Sequence, residues 1–135
     1  MRIGLIADIH GNLVALEAVL AALARERVER IICLGDVAVL GPQPGEVLAR
    51  LRALGCPGVL GNTDAWLLGD TGGRSDSRVM VELTDWCQAR LSDRDRADLA
   101  AYPPTLAVPF APGQSLLCCH GSPRSFDDVI AATTP

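Results

Sequence analysis

Hydrophobic positions along the chain fall into short blocks whose spacing changes from one block to the next. Arg2 to Ala7 (RIGLIA) is a short, isoleucine-rich apolar run bounded by Asp8 and Gly11, which reads as a buried strand. Leu13, Leu16, Leu20 and Leu23 then recur at helical spacing, with Glu17, Arg25 and Glu26 off that face, and Asn12 stands where an N-cap belongs. Arg30 to Leu34 (RIICL) is a second apolar run and ends in Gly35-Asp36. Strand, helix and strand in that order form a βαβ unit, for which parallel pairing and a right-handed crossover are expected.

The loop Gly41 to Gly45 (GPQPG) precedes a second amphipathic segment, Glu46 to Leu54, with Val47, Leu48, Leu51 and Leu54 as its apolar stripe and Gly55 as the stop. Gly58 to Leu60 reads as a short third strand ending in Gly61-Asn62, and Asp64 to Leu68 as the start of a helix. Thr71 to Asp76 (TGGRSD) has the composition of a mobile loop. Arg78 to Leu91 is expected to be a helix burying Val79, Leu83, Trp86 and Cys87. Ser92 and Asp95 have the spacing of a capping box for a helix reaching about Ala101, which Pro103-Pro104 terminates. Thr105 to Phe110 and Ser115 to Cys119 form a hairpin around Ala111 to Gln114, and Phe126 to Ala132 reads as helical.

Composition narrows the function classes. The 135 residues suit one domain, nearly half are hydrophobic, and the formal net charge of −4 argues against non-specific nucleic-acid binding, which needs a basic face. Five cysteines, at 33, 56, 87, 118 and 119, with no C-x-x-C pair, point away from a disulfide framework or zinc ribbon and toward a reducing, cytoplasmic setting. No apolar stretch reaches the roughly 20 residues that span a bilayer, so no membrane association is expected.

Chemistry-bearing residues concentrate where the strands end: Asp8 and His10 after the first, Asp36 after the second, Asn62 after the third, and His120 after the last. An open α/β sheet collects its chemistry at the carboxyl ends of its strands. Carboxylate, imidazole and amide oxygen suit manganese, iron or zinc. On a regular strand, Asp8 and His10 point to the same side. The two oxygens of Asp36 allow it to bridge two ions; two metals about 3.5–4 Å apart would polarise phosphoryl oxygens and generate a hydroxide for in-line attack.

D-x-H-G-N at Asp8 to Asn12, G-D at Gly35-Asp36, G-N-x-D at Gly61 to Asp64 and H-G at His120-Gly121 resemble, in order and spacing, the motifs of the calcineurin-like metallophosphoesterases. The resemblance runs from Met1 to about Pro135. It implies an α/β fold, the calcineurin-like αββα sandwich of two mixed β-sheets flanked by helices. Residues 1–135 would form a single domain, the N-terminal majority of that fold and incomplete at its C-terminal side. It implies two divalent cations, manganese first, with iron, zinc or nickel as alternatives. Asp8, His10 and Asp36 would hold the first and Asp36, Asn62 and His120 the second, the latter three forming the catalytic set. The substrate would be a phosphate ester.

Two departures qualify the resemblance. The family's G-H-x-H motif, which gives one histidine to each metal, does not occur; the only histidines are His10 and His120, and the chain reads as truncated before that motif. Thr63 occupies the position where many members carry a histidine that protonates the leaving group. Thr63 cannot be a general acid near neutral pH, which resembles the small bacterial and archaeal phosphodiesterase branch and favours diesters. An incomplete second sheet would expose an edge and invite homo-oligomerisation. The competing class is a non-catalytic scaffold, or an inactive fragment of the same fold, that binds a protein partner.

Taken singly, each residue has a plainer reading. Asp8 is an N-cap, His10 a satisfied structural histidine, and Asn62 a turn residue. Asn12 either contacts phosphate or caps the first helix, and Arg124 either binds a phosphate or is a solvated surface cation. Cys118 and Cys119 are strand residues, Ser122 lacks a G-x-S-x-G elbow, and Trp66 and Trp86 are core or interface aromatics.

Overall fold

The computed structural model describes residues 1–70, 72–74 and 76–132. In chain order they form β1 (Ile3–Ile6), α1 (Leu13–Arg25), β2 (Arg30–Cys33), α2 (Pro44–Ala53), α3 (Asn62–Leu67), α4 (Arg78–Gln88), α5 (Asp93–Ala100), β3 (Thr105–Ala111) and β4 (Gln114–Cys119). β1 and β2 pair in parallel with Ile3 opposite Arg30 and Ile6 opposite Cys33, as the βαβ pattern predicts. β3 and β4 pair antiparallel, with an irregularity between Pro109 and Ala111.

The helix boundaries follow local chemistry. Asn12 caps α1, its side chain accepting from Ala15 N at 2.9 Å. Pro44 opens α2, two residues ahead of the expected Glu46, because its fixed φ and missing N–H suit the first helical turn. Gly55 follows α2 in the left-handed conformation, with φ +59°. Ser92 and Asp95 form the reciprocal capping box at α5.

Strand alternation divides the core in two. Ile6 and Cys33 face the helices and pack with Leu16 and Leu20 of α1, Val47, Leu48 and Leu51 of α2, and Leu99 of α5. On the opposite face Ile32 packs with Val108 of β3 and Cys118 of β4, joined by Ile3, Leu34, Leu106 and Leu116. The hairpin therefore lies against the parallel pair, sheet on sheet. Leu117, between Leu116 and Cys118, points the other way and is half exposed at 52%. All five cysteines are free.

Several expectations are corrected. Among the described residues the two sheets are not mixed: one is a parallel pair and the other an antiparallel pair, each of two strands. Gly58 to Leu60 runs beside β2 but forms only a single parallel bridge, Cys33 with Gly58, because Leu60 N–H turns away to Pro103 O. Along α4 only Thr84 and Cys87 are buried; Val79 and Trp86 are exposed, and Trp86 packs instead under the Arg90 guanidinium, 3.4 Å from its ring centroid. Phe126 to Ala132 is not helical; Ser122 and Ser125 fold that segment into turns, Ser122 Oγ donating to Asp128 at 2.5 Å and Ser122 N–H to Ser125 O. Within the expected loop 71–76, Thr71 and Ser75 lie outside the described residues, and the others belong to no helix or strand. Among the described residues no helix is long and apolar enough to cross a membrane.

Candidate metal centre

β1 ends at Ile6, so Asp8 and His10 stand on a loop rather than on a regular strand. Both have left-handed backbones, φ +53° and +48°, and Asp36 adopts the same region at φ +56°. Side-chain convergence therefore comes from turns, not from strand alternation, which corrects the expectation for Asp8 and His10. A non-glycine residue in this region costs on the order of 1–3 kcal/mol and persists only where its surroundings hold it. Here they do. Asp8, His10 and Gly11 donate their N–H groups to the carbonyls of Gly35, Asp36 and Val37 at 3.1, 2.9 and 2.7 Å.

From the other side, Asp64 clasps the same loop. Its carboxylate accepts from Asp36 N and Val37 N, both at 2.8 Å, and from Gly61 N at 3.1 Å. Burial pushes the Asp64 carboxyl up to about 6, against the opposing pull of those backbone bonds. In the sequence Asp64 reads as a helix start and as the last residue of the G-N-x-D motif, with no contact to the β2 loop implied. The signal available was its place as third residue of the helix that follows Gly61, a capping-box position.

These turns bring the acceptor atoms together. His10 Nε2 lies 3.6 Å from Asp8 Oδ1 and 3.8 Å from Asp36 Oδ2. His120 Nε2 lies 3.6 Å from Asp36 Oδ1 and 3.1 Å from Asn62 Oδ1. The two oxygens of Asp36 thus face different histidines. One ligand atom from each of Asp8, His10 and Asp36 can be chosen so that all lie within 4.8 Å of one another. Asp36 is 4% exposed, and Thr63 N–H donates to its Oδ1 at 3.0 Å, fixing the carboxylate in place.

Both imidazoles are oriented from behind. His10 Nδ1 lies 3.1 Å from Val39 O and His120 Nδ1 2.7 Å from Leu34 O. A carbonyl can only accept, so each Nδ1 carries a proton, and a ring with that one proton presents the lone pair of Nε2 to the cluster. With the rings in that form, carboxylate oxygens, two imidazole nitrogens and an amide oxygen converge on one small region. That donor set fits divalent cations, and a backbone carbonyl behind each imidazole is the usual way a ligating histidine is held.

The plainer readings can now be compared with the geometry. Asp8 is not the N-cap of α1; Asn12 is. Gly61, not Asn62, is the N-cap of α3. Asn12 is occupied through its oxygen by that cap, while it shares with Asp8 a groove of about 350 Å³ along β1. Arg124 is exposed on the turn after His120, its backbone N–H donating to Ser122 Oγ at 3.1 Å. Its guanidinium is not brought into the cluster by any ion pair or hydrogen bond among the described residues. Thr63 is buried, and its hydroxyl has no hydrogen-bond partner among the described residues.

The model of the calcineurin-like phosphoesterase superfamily domain matches residues 1–134. The chain belongs to that superfamily, a family of metal-dependent phosphoesterases. Among solved structures, a metallophosphoesterase from Sphaerobacter thermophilus is 34% identical with a TM-score of 0.65, over 78% of this chain and 43% of the other. The phosphoesterase Yfce from E. coli is 25% identical with a TM-score of 0.55, over 90% of this chain and 58% of the other. An uncharacterized protein of Methanocaldococcus jannaschii is 43% identical over 67 residues, which is 50% of this chain and 28% of that protein. This member of the superfamily thus groups with small phosphoesterases such as Yfce and spans only a part of the length of each of these relatives.

Proposed function

We propose that the chain contributes a two-metal phosphodiesterase site, with Asp8, His10 and Asp36 holding one divalent cation and Asp36, Asn62 and His120 the other. The observation that carries this reading is Asp36: a buried carboxylate whose two oxygens face His10 Nε2 and His120 Nε2 at 3.8 and 3.6 Å. Two cations bound there supply Lewis acidity toward phosphoryl oxygens and lower the pKa of water. Manganese heads the candidates, since the set is hard oxygen and imidazole with no thiolate.

The chain's own residues orient these parts. Val39 O and Leu34 O fix the imidazole tautomers, and Thr63 N–H fixes the Asp36 carboxylate. The Asn12 amide N–H groups are suited to a phosphoryl oxygen at the mouth of the groove it shares with Asp8, and Arg124 to a more distant phosphate. With a buried threonine at position 63, that position supplies no proton to a leaving group. A diester or an aryl ester, whose leaving group needs little protonation, suits the site better than an alkyl monoester.

The test is manganese-dependent hydrolysis of an aryl phosphodiester compared with the matching monoester, alongside Asp36→Ala. The expected result is faster turnover of the diester, abolished by chelation and reduced at least ~100-fold by the substitution. Activity indifferent to chelation and to Asp36→Ala would sink the reading. Absence of both metal and activity would favour a scaffold that binds a protein partner.

A further inference from the structure

We infer that Asp64 is a positioning residue, a clamp that sets the distance between the Asp36 and Asn62 loops from inside the fold without touching metal or substrate. The inference rests on the reading of Asp36 and Asn62 as metal ligands. It starts from the bonds of one side chain. Asp64 is fully buried, and its two oxygens take three backbone N–H groups from two separate loops: Asp36 and Val37 after β2, and Gly61 before α3.

Ordinary helix capping explains only one of those bonds. Asp95 occupies the same third position in α5 and bonds Ser92 N at 3.0 Å and Ser92 Oγ at 2.7 Å, both within its own cap. It does not reach across to another loop's backbone; its remaining partner is the Arg52 side chain. Asp64 differs by holding the β2 loop as well. Without it, the N–H groups of Asp36 and Val37 would be left unpaired in the interior, where Val37 is 0% exposed.

The clamp also reaches the ligand side chain. Asp64 grips the Asp36 backbone while Thr63, its neighbour on α3, gives its N–H to Asp36 Oδ1. Asn62, on the same helical turn, faces His120. The first turn of α3 therefore fixes one proposed ligand through the backbone, orients it through the side chain, and carries another proposed ligand itself. Asparagine cannot replace Asp64: it offers one acceptor oxygen and turns an N–H₂ donor toward N–H groups that need acceptors.

The test pairs Asp64→Asn with Asp95→Asn, two capping-box carboxylates of which only the first touches the metal-centre loops. Manganese binding is followed by the electron paramagnetic resonance of free Mn²⁺, with thermal melts on the same samples. Both variants are expected to melt lower than wild type. Only Asp64→Asn should weaken manganese binding, by ~10-fold or more, the range seen when groups that orient metal ligands are lost. A binding curve for Asp64→Asn that superposes on wild type would overturn the clamp. Should Asp64→Asn fail to fold, amide hydrogen exchange in the wild-type chain decides. The Asp36, Val37 and Gly61 amides are expected among the slowest to exchange, and rapid exchange at Asp36 and Val37 would overturn the proposal. Wild-type chain that binds no manganese would count against the metal reading instead, leaving the exchange rates to judge the clamp.

Discussion

His120 Nε2 lies 3.1 Å from the Asn62 side-chain oxygen, across 58 positions of sequence. With its other nitrogen donating to Leu34 O, this imidazole, when it carries only that proton, turns a lone pair toward another acceptor. A cation shared between the two would stabilise facing acceptors at that distance. Asn62→Ala and His120→Ala are therefore expected each to weaken manganese binding by about 100-fold or more, exceeding the effect typical of outer groups. Neither should lower the melting temperature as a core substitution would. Calorimetric titration beside thermal melts checks both halves of this expectation.

Gly61 is packed so closely against Asp36 that a methyl group has nowhere to go. A Cβ there would meet Asp36 Oδ1 at 2.1 Å and Asp36 N at 2.3 Å. Gly61→Ala should destabilise the chain by about 1–3 kcal/mol or more through overpacking and abolish manganese binding together with it. Gly113, in the β3–β4 turn at φ +71°, has nothing within 4 Å of its Cβ position. Gly113→Ala is expected to destabilise through backbone strain alone, by about 1–2 kcal/mol, with manganese binding intact. Urea unfolding and metal titration on both variants separate the two cases.

The Arg52 guanidinium ties α2 to α5 through Asp95 and Asp98. Burial pushes the Asp95 carboxyl up, but bonds from Ser92 and Arg52 outweigh it and hold the group below the ordinary carboxylate value. A folded-state value below the unfolded one means that the unfolded chain binds more protons at acid pH. The stability Asp95 contributes is thus fully present above the unfolded value, near 4, and is lost as pH falls through the folded one. Asp95→Asn should lower the melting temperature at pH 7 and flatten its decline on acidification. Parallel decline in wild type and variant would contradict this assignment.

Much of the framework is legible from periodicity. The parallel β1–β2 pair, α1 with Asn12 at its head, the Ser92–Asp95 capping box and the β3–β4 hairpin all follow from local pattern. Elements whose outcome depends on a distant partner are harder to read. Val79 and Trp86 match a helical apolar stripe, yet α4 lies so that its buried positions are Thr84 and Cys87. Gly58 to Leu60 has a strand's composition but loses its ladder when Leu60 bonds Pro103.

At the candidate metal centre the residue types and their order are visible in the sequence, while the means of convergence is not. Left-handed backbones at Asp8, His10 and Asp36 leave no hydrophobic periodicity to detect, although aspartate and histidine tolerate that region better than most residues. The role of Asp64 depends on N–H groups 27 and 28 positions away, which no local signal reports.

The central claim, that Asp36 joins two cation sites, is tested most directly by counting manganese bound per chain in wild type and Asp36→Ala under saturating conditions. Two ions in wild type, with both lost or reduced to a single weakly held ion in Asp36→Ala, is the predicted result. Equal stoichiometry and affinity in the two proteins, or no ion bound by wild type, would contradict it.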